Sequence, residues 1–183
     1  MTFKECIYLI KTDLHRYGGN KKHLIITPGC RYMFFFRLLN YACSHRIFYP
    51  ITLMLKIKLM LMQRHYGIQI PHTTKIGKGF YIGHYGDIVV NGSVTIGDNV
   101  NISQGVTIGQ ANRGAKKGVA TIGNKVYIGP GVKIVGKITI GNNVAIGANA
   151  VVTKDVPDDA CIAGIPAKII SMDGSEGYVN NVV

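Results

Sequence analysis

The chain has 183 residues, 47% hydrophobic and only 16% charged, which excludes an intrinsically disordered protein and leaves room for one domain with a helical extension. Its 23 glycines do not recur every third residue, so a collagen-like repeat is excluded too. The net charge of +12 is uneven: residues 1–66 hold eleven Lys/Arg against Glu5 and Asp13, whereas residues 67–183 hold ten against seven acids.

Residues 3–16 and 30–64 read as helices, the second dense in long apolar side chains such as Met33 to Phe36 and Leu53 to Leu55. Gly18-Gly19-Asn20 and Pro28-Gly29 break the earlier pieces, and Pro50 is expected to split the later stretch into two helices. The strongest apolar run, Ile47 to Met62, is interrupted by Pro50, Lys56 and Lys58. It also falls short of the roughly 20 apolar residues that a membrane span needs. Apolar and basic side chains together, with no nucleic-acid motif, leave two readings for residues 1–66. Either they pack with their lysines solvated, or they make a peripheral contact with the inner face of a membrane. Lys4, Glu5, Lys11 and Asp13 interrupt any signal-peptide core. Cys6, Cys30, Cys43 and Cys161 lack metal-ligand spacing and read as reduced thiols, so the expected location is cytoplasmic and no metal is expected.

After residue 66 the pattern changes. Ile76, Ile82 and Ile88, then Ile96, Ile102 and Ile108, then Ile122, Ile128, Ile134, Ile140, Ile146 and Val152 recur at steps of six within each group. Small or apolar residues precede the last group by two positions, at Ala120, Val126, Val132, Ile138, Val144 and Ala150. A period of six fits neither an amphipathic helix nor a lone strand. It fits a parallel β-helix, in which each hexad supplies a short strand and a turn and three hexads close one triangular coil. Residues 70–156 then make four to five coils. Two interruptions stand out: a slip of two residues that the spacing places around Asn91-Gly92, and an expelled loop at 110–118 carrying Arg113, Lys116 and Lys117. Loops thrown out of solenoids are common places for ligand contacts.

Over residues 67–171 the chain resembles the hexapeptide-repeat acyltransferases, in their serine acetyltransferase-like branch. The resemblance rests on Lys75-Ile76-Gly77-Lys78-Gly79, on Gly83-His84-Tyr85-Gly86-Asp87-Ile88, on Gln104-Gly105-Val106-Thr107-Ile108-Gly109, and on Val152 to Pro157 followed by Ala163-Gly164-Ile165-Pro166-Ala167-Lys168. It implies a left-handed parallel β-helix, mainly β, after an N-terminal α-helical segment. The domains are then residues 1–66, the prism 67–171 and a C-terminal tail 172–183, expected to be loose. It further implies a homotrimer that binds acetyl-CoA in grooves between neighbouring prisms and transfers acetyl to a hydroxyl acceptor.

By the same resemblance His84 is the catalytic base. Gly109, Pro130 and Ala148 line the path of the pantetheine arm, and Thr153, Lys154 and Lys168 lie toward the nucleotide phosphates. His72 is the runner-up base. The partner that orients His84 stays open between Gln69, Asp87 and a backbone carbonyl; Asp87 equally fits an acceptor contact or a solvated turn acid. Three positions depart from the serine enzymes' pattern. Gln69 stands where they place an Asp, Gly83 where an acidic residue precedes the His, and Gly118-Val119 where an Arg-His pair holds the amino acid. The short apolar N-terminal segment is similar to that of capsule and exopolysaccharide O-acetyltransferases. The expected acceptor is therefore a sugar hydroxyl in surface-polysaccharide synthesis, with L-serine as the alternative.

Overall fold

The computed structural model describes residues 1–45 and 49–183. Four helices come first: α1 (Phe3–Arg16), α2 (His23–Ile26), α3 (Pro28–Cys43) and α4 (Tyr49–Tyr66). Then the six-residue period becomes three sheets wound around one axis, a left-handed parallel β-helix. The first sheet stacks β1 (Ile68–Gln69), β4 (Ile88–Val90), β7 (Thr107–Gly109), β10 (Lys133–Val135) and β13 (Val151–Val152). The second stacks β2 (Lys75–Ile76), β5 (Thr95–Ile96), β8 (Thr121–Ile122) and β11 (Thr139–Ile140). The third stacks β3 (Tyr81–Ile82), β6 (Asn101–Ile102), β9 (Tyr127–Ile128), β12 (Ala145–Ile146) and β14 (Cys161–Ala163), and closes with an antiparallel β15 (Lys168–Ser171).

Register explains the isoleucines. Ile82, Ile102, Ile128, Ile146 and Ile162 are paired in one column, and Ile76, Ile96, Ile122 and Ile140 in another. Almost all are fully buried, so each rung adds apolar area to one continuous core. Burying one such side chain contributes about 1.5–3 kcal/mol. Polar residues form a column of their own at the corner between the second and third sheets. There the backbone N–H groups of Lys78, Asp98, Asn124 and Asn142 donate to the side chains of Asp98, Asn124, Asn142 and Asp158 in turn, at 2.7–2.9 Å. The residue after each acceptor, at Asn99, Lys125, Asn143 and Asp159, has φ of 54–61°, a left-handed turn that Asn and Asp tolerate.

The register moves one interruption. Tyr81 pairs with Asn101, but Val89 pairs with Thr107, so the two extra residues lie between Ile82 and Ile88 and not at Asn91-Gly92. Val90, not Ile88, stands in line with Ile108. The unbroken six-residue step from Ile82 to Ile88 conceals this, because an expanded corner happens to deliver another Ile. The loop at 110–118 is expelled as expected, pinched by an antiparallel bridge between Ala111 and Gly118.

A parallel β-helix leaves its first coil with an unpaired edge. Here the helices cover it. The Asp13 carboxylate accepts from the Phe80 N–H at 2.9 Å, while Arg37 donates to the carbonyls of Ile76 and Gly77 and Arg16 to that of Gly79. Tyr32 donates to the Ile70 carbonyl at 2.7 Å. Arg37 and Asp13 are themselves paired at 2.8 Å, both buried. Helices α1 and α3 thus pack on the prism. The helix break falls between Cys43 and Tyr49, ahead of Pro50, which sits in the first turn of α4 where its missing N–H costs little; Ile47 lies outside the described residues.

The C-terminal tail is not loose. It runs back along the prism: Ser175 bonds Asn143 and the Lys125 carbonyl, Tyr178 stacks on Tyr127 with ring centroids 4.6 Å apart, and Val183 bonds Asn99 through both backbone groups. These polar anchors satisfy corner groups, which a search for apolar periodicity passes over.

Removing one member of a buried ion pair strands the other. Arg37→Met alone is expected to cost about 3–5 kcal/mol. The Asp13→Leu/Arg37→Met double variant is expected to lose less than the two single losses added together, and urea unfolding of all three measures it.

Candidate functional site

The corner between the third and first sheets carries the candidate base. In the first coil this is the expanded turn, with His84, Tyr85 and Asp87 all exposed and Gly86 and Asp87 at φ of 111° and 53°. The turn is tied at both ends: the Ile88 N–H donates to the Gly67 carbonyl, and the Gly105 N–H to the Gly86 carbonyl, each at 2.9 Å. Tyr85 packs edge-on against Tyr66 of α4. The imidazole is thus exposed on an enlarged turn whose ends are held by two backbone bonds.

Ile82, just before this turn, is clamped by the helices. The Tyr17 hydroxyl donates to the Ile82 carbonyl at 3.1 Å and accepts from its N–H at 3.0 Å. A Cβ on Gly29 of α3 would lie 2.6 Å from that same carbonyl oxygen, so only glycine lets the helix come this close. Neither residue belongs to the repeat, and no periodic signal in the sequence points to them. Both position the His84 corner through its neighbour.

Stacked above His84 on the same edge are Gln104, Pro130 and Ala148, one, two and three coils away. With coils about 4.8 Å apart, the column runs roughly 14 Å along the prism. Backbone bonds from Gly131 to Gln104 and from Asn149 to Pro130 hold it straight. The buried Gln104 Oε1 has no hydrogen-bond partner among the described residues. Lys133 donates to the Gly105 carbonyl and to Thr107 Oγ1, bracing the corner from the first sheet.

The remaining candidates divide. Thr153, Lys154 and Lys168 come together around a cavity of about 250 Å³ at the end of the prism. Gly109 does not join Pro130 and Ala148: it ends β7 on the opposite edge of the first sheet, beside the expelled loop and on the side of Thr153. On that edge Lys116 of the loop is paired with Asp155 at 2.7 Å. The Lys116 bond and the Thr139 N–H hold the Asp155 carboxyl below the ordinary carboxylate range.

Neither Gln69 nor Asp87 reaches His84. Among the described residues the side chains of His84, Asp87 and Gln69 have no hydrogen-bond partners. His72 is not part of the corner; it lies in a cleft with Lys56 and Gln63, and burial followed by the Lys56 charge pushes its pKa down. Burial pushes the Cys30 thiol up to about 12, the behaviour of an inert core thiol.

The family model described as bacterial transferase hexapeptide (six repeats) matches residues 120–154. A protein named serine acetyltransferase from Helicobacter pylori is 38% identical over 150 residues, which are 82% of this chain and 85% of that one. Another of the same name from Staphylococcus aureus is 44% identical over 108 residues, 59% of this chain and 51% of its own. Among solved structures, serine acetyltransferase from Brucella abortus in complex with coenzyme A superposes with a TM-score of 0.78 at 25% identity, covering 92% of this chain and 69% of that one.

Tyr17→Phe leaves the Ile82 N–H and carbonyl without their shared partner. It is expected to cost about 1–3 kcal/mol of stability in urea unfolding. Because the loss falls beside the His84 corner, acetyl-CoA turnover is expected to fall more than the folded fraction does.

Proposed function

The chain belongs to the hexapeptide-repeat transferases, the family of its serine acetyltransferase relatives, and from that membership we propose that it moves an acetyl group from acetyl-CoA to an acceptor hydroxyl, with His84 as the base. The observation that carries the reading is the exposed imidazole on an expanded, doubly anchored corner, at the foot of a column of small and amide-bearing residues. His84 takes the hydroxyl proton as the oxygen attacks the thioester carbonyl. When the tetrahedral intermediate collapses, the C–S bond breaks and the same proton passes to the departing thiolate. Imidazole serves both steps because its ordinary pKa lies near neutrality.

The column from Gln104 to Ala148 suits the pantetheine arm, and the Gln104 acceptor suits one of its amide N–H groups. Lys154 and Lys168, beside Thr153, give phosphate oxygens point charges at the end of the prism. Gly109 lies on the far edge of the first sheet from Pro130 and Ala148. One cofactor touching both sets therefore needs two prisms side by side, which supports the trimer that the resemblance implies. Asp87 is read as an acceptor-side or solvent-facing acid, since it does not pair with His84 in this structure.

The relatives are named for serine, and they favour L-serine as acceptor over the expected sugar. The expected nearness to capsule and exopolysaccharide enzymes gains no support from them. One observation still favours an uncharged acceptor. Gln69, Gly83, Gly118 and Val119 bring no charge to the positions where the serine enzymes' pattern has an acid or an Arg-His pair. A carboxylate and an ammonium would have to find other partners.

Three measurements test these readings. Thiol release from acetyl-CoA with His84→Ala is expected to fall about 10²–10⁴-fold, and an undiminished rate removes His84 as the base. Turnover with L-serine in an acceptor panel selects the amino-acid reading, and turnover confined to glycans selects the other. Lys154→Gln/Lys168→Gln is expected to raise KM for acetyl-CoA about ten-fold or more while leaving KM for acetyl-pantetheine, which lacks the nucleotide, unchanged.

A further inference from the structure

Helix α4 uses only one of its sides within the protein. Leu59 and Met62 are buried, and Thr52, Leu55, Gln63 and Tyr66 are half-buried on the same side, against α3 and the first coil. At about 100° per residue the opposite side carries Leu53, Met54, Ile57 and Leu61. These four are 49%, 69%, 46% and 53% exposed. Lys56 borders the stripe on one flank and Lys58 on the other, both exposed, and Arg64 stands near its C-terminal end. Beside the stripe, Phe35 of α3 and Leu55 help line an apolar groove of about 380 Å³.

The charge around this face says what covers it. Helix α4 has no acidic residue. The two acids of residues 1–66 are both engaged, Asp13 in its buried pair with Arg37 and Glu5 in the capping box of α1. A second copy laid face to face would bring unbalanced lysines against lysines around an apolar contact. An anionic bilayer meets both demands at once: lipid phosphates neutralise the flanks while the acyl boundary takes the stripe. Lysine stems can lie along the apolar zone with their ammonium groups among the headgroups.

We propose that the outward face of α4 seats the protein in the headgroup layer of an anionic membrane, with the helix in the plane of the surface. No helix among the described residues is long and apolar enough to cross a membrane, so the contact is peripheral. The proposal holds whichever hydroxyl is acetylated.

The test is co-sedimentation of the full chain with vesicles of phosphatidylglycerol mixed with phosphatidylcholine, against phosphatidylcholine alone. Binding is expected to the first and to weaken as salt rises. Ile57→Asn/Leu61→Asn is expected to bind about ten-fold more weakly or worse, since each loses exposed apolar area. Lys56→Gln/Lys58→Gln is expected to lose the preference for anionic lipid. Turnover with soluble acceptors should be unchanged in both variants, which shows them folded. Wild type that stays in solution with phosphatidylglycerol vesicles overturns the proposal, as does equal binding by the asparagine variant. So does a light-scattering mass that drops in the asparagine variant, which would assign the face to contacts between copies.

Discussion

The structure depends on closing an open edge. A β-helix can add coils without limit, because each coil presents the next with a row of unpaired N–H and carbonyl groups. In this chain that row ends on five side chains of the N-terminal helices: Asp13, Arg16, Tyr17, Tyr32 and Arg37. The carboxylate serves a backbone donor, the guanidinium groups serve carbonyls, and the tyrosine that meets both groups of Ile82 does both. Because Arg37 and Asp13 are buried, the arrangement holds only while each neutralises the other. The helical segment is therefore the floor of the prism, and the corner that carries His84 is built directly on it.

How much of this the sequence declares depends on whether a feature repeats. Hexads repeat, so the isoleucine columns, the approximate number of coils and the expelled loop were all legible. Edge capping does not repeat. Asp13 meets Phe80 across 67 residues and Tyr17 meets Ile82 across 65, each once, and a single long-range hydrogen bond leaves no pattern to read. The tail was misread for the same reason. Ser175, Tyr178 and Val183 dock by polar and aromatic contacts at corners, and none of them extends an apolar period.

The expanded corner shows a subtler failure. Ile76, Ile82 and Ile88 keep perfect step, so the spacing shifts the slip to the next irregular stretch, at Asn91-Gly92. In three dimensions Ile88 aligns with Val106 and Val90 with Ile108. Strand β4 buries both of its alternate residues, so either can pose as the repeat's isoleucine. Only pairing on both sides of the turn decides between them. The two residues gained there fall in the turn that carries the exposed His84, so the irregularity that the spacing misplaced lies at the candidate site. The motif led to His84, which stands exposed on this corner, while its pairing with Gln69 or Asp87 was not realised.

These features also set the two ends of the prism apart. His84 lies in the first coil, and so do the groups bonded by α1 and α3; α4 leads into that coil through Gly67, whose carbonyl anchors the His84 turn. The cavity with Lys154 and Lys168 lies at the far end, beyond the last full coil. A cofactor running along the prism would thus point its nucleotide away from the helices and its thioester toward them. The rings of Tyr66 and Tyr85 meet at the joint between α4 and the His84 corner. If the outer face of α4 rests on a membrane, the His84 corner lies at the end of the prism that α4 leads into. The same geometry leaves the corner open to a freely diffusing amino acid. Membrane seating through α4 therefore does not by itself choose the acceptor.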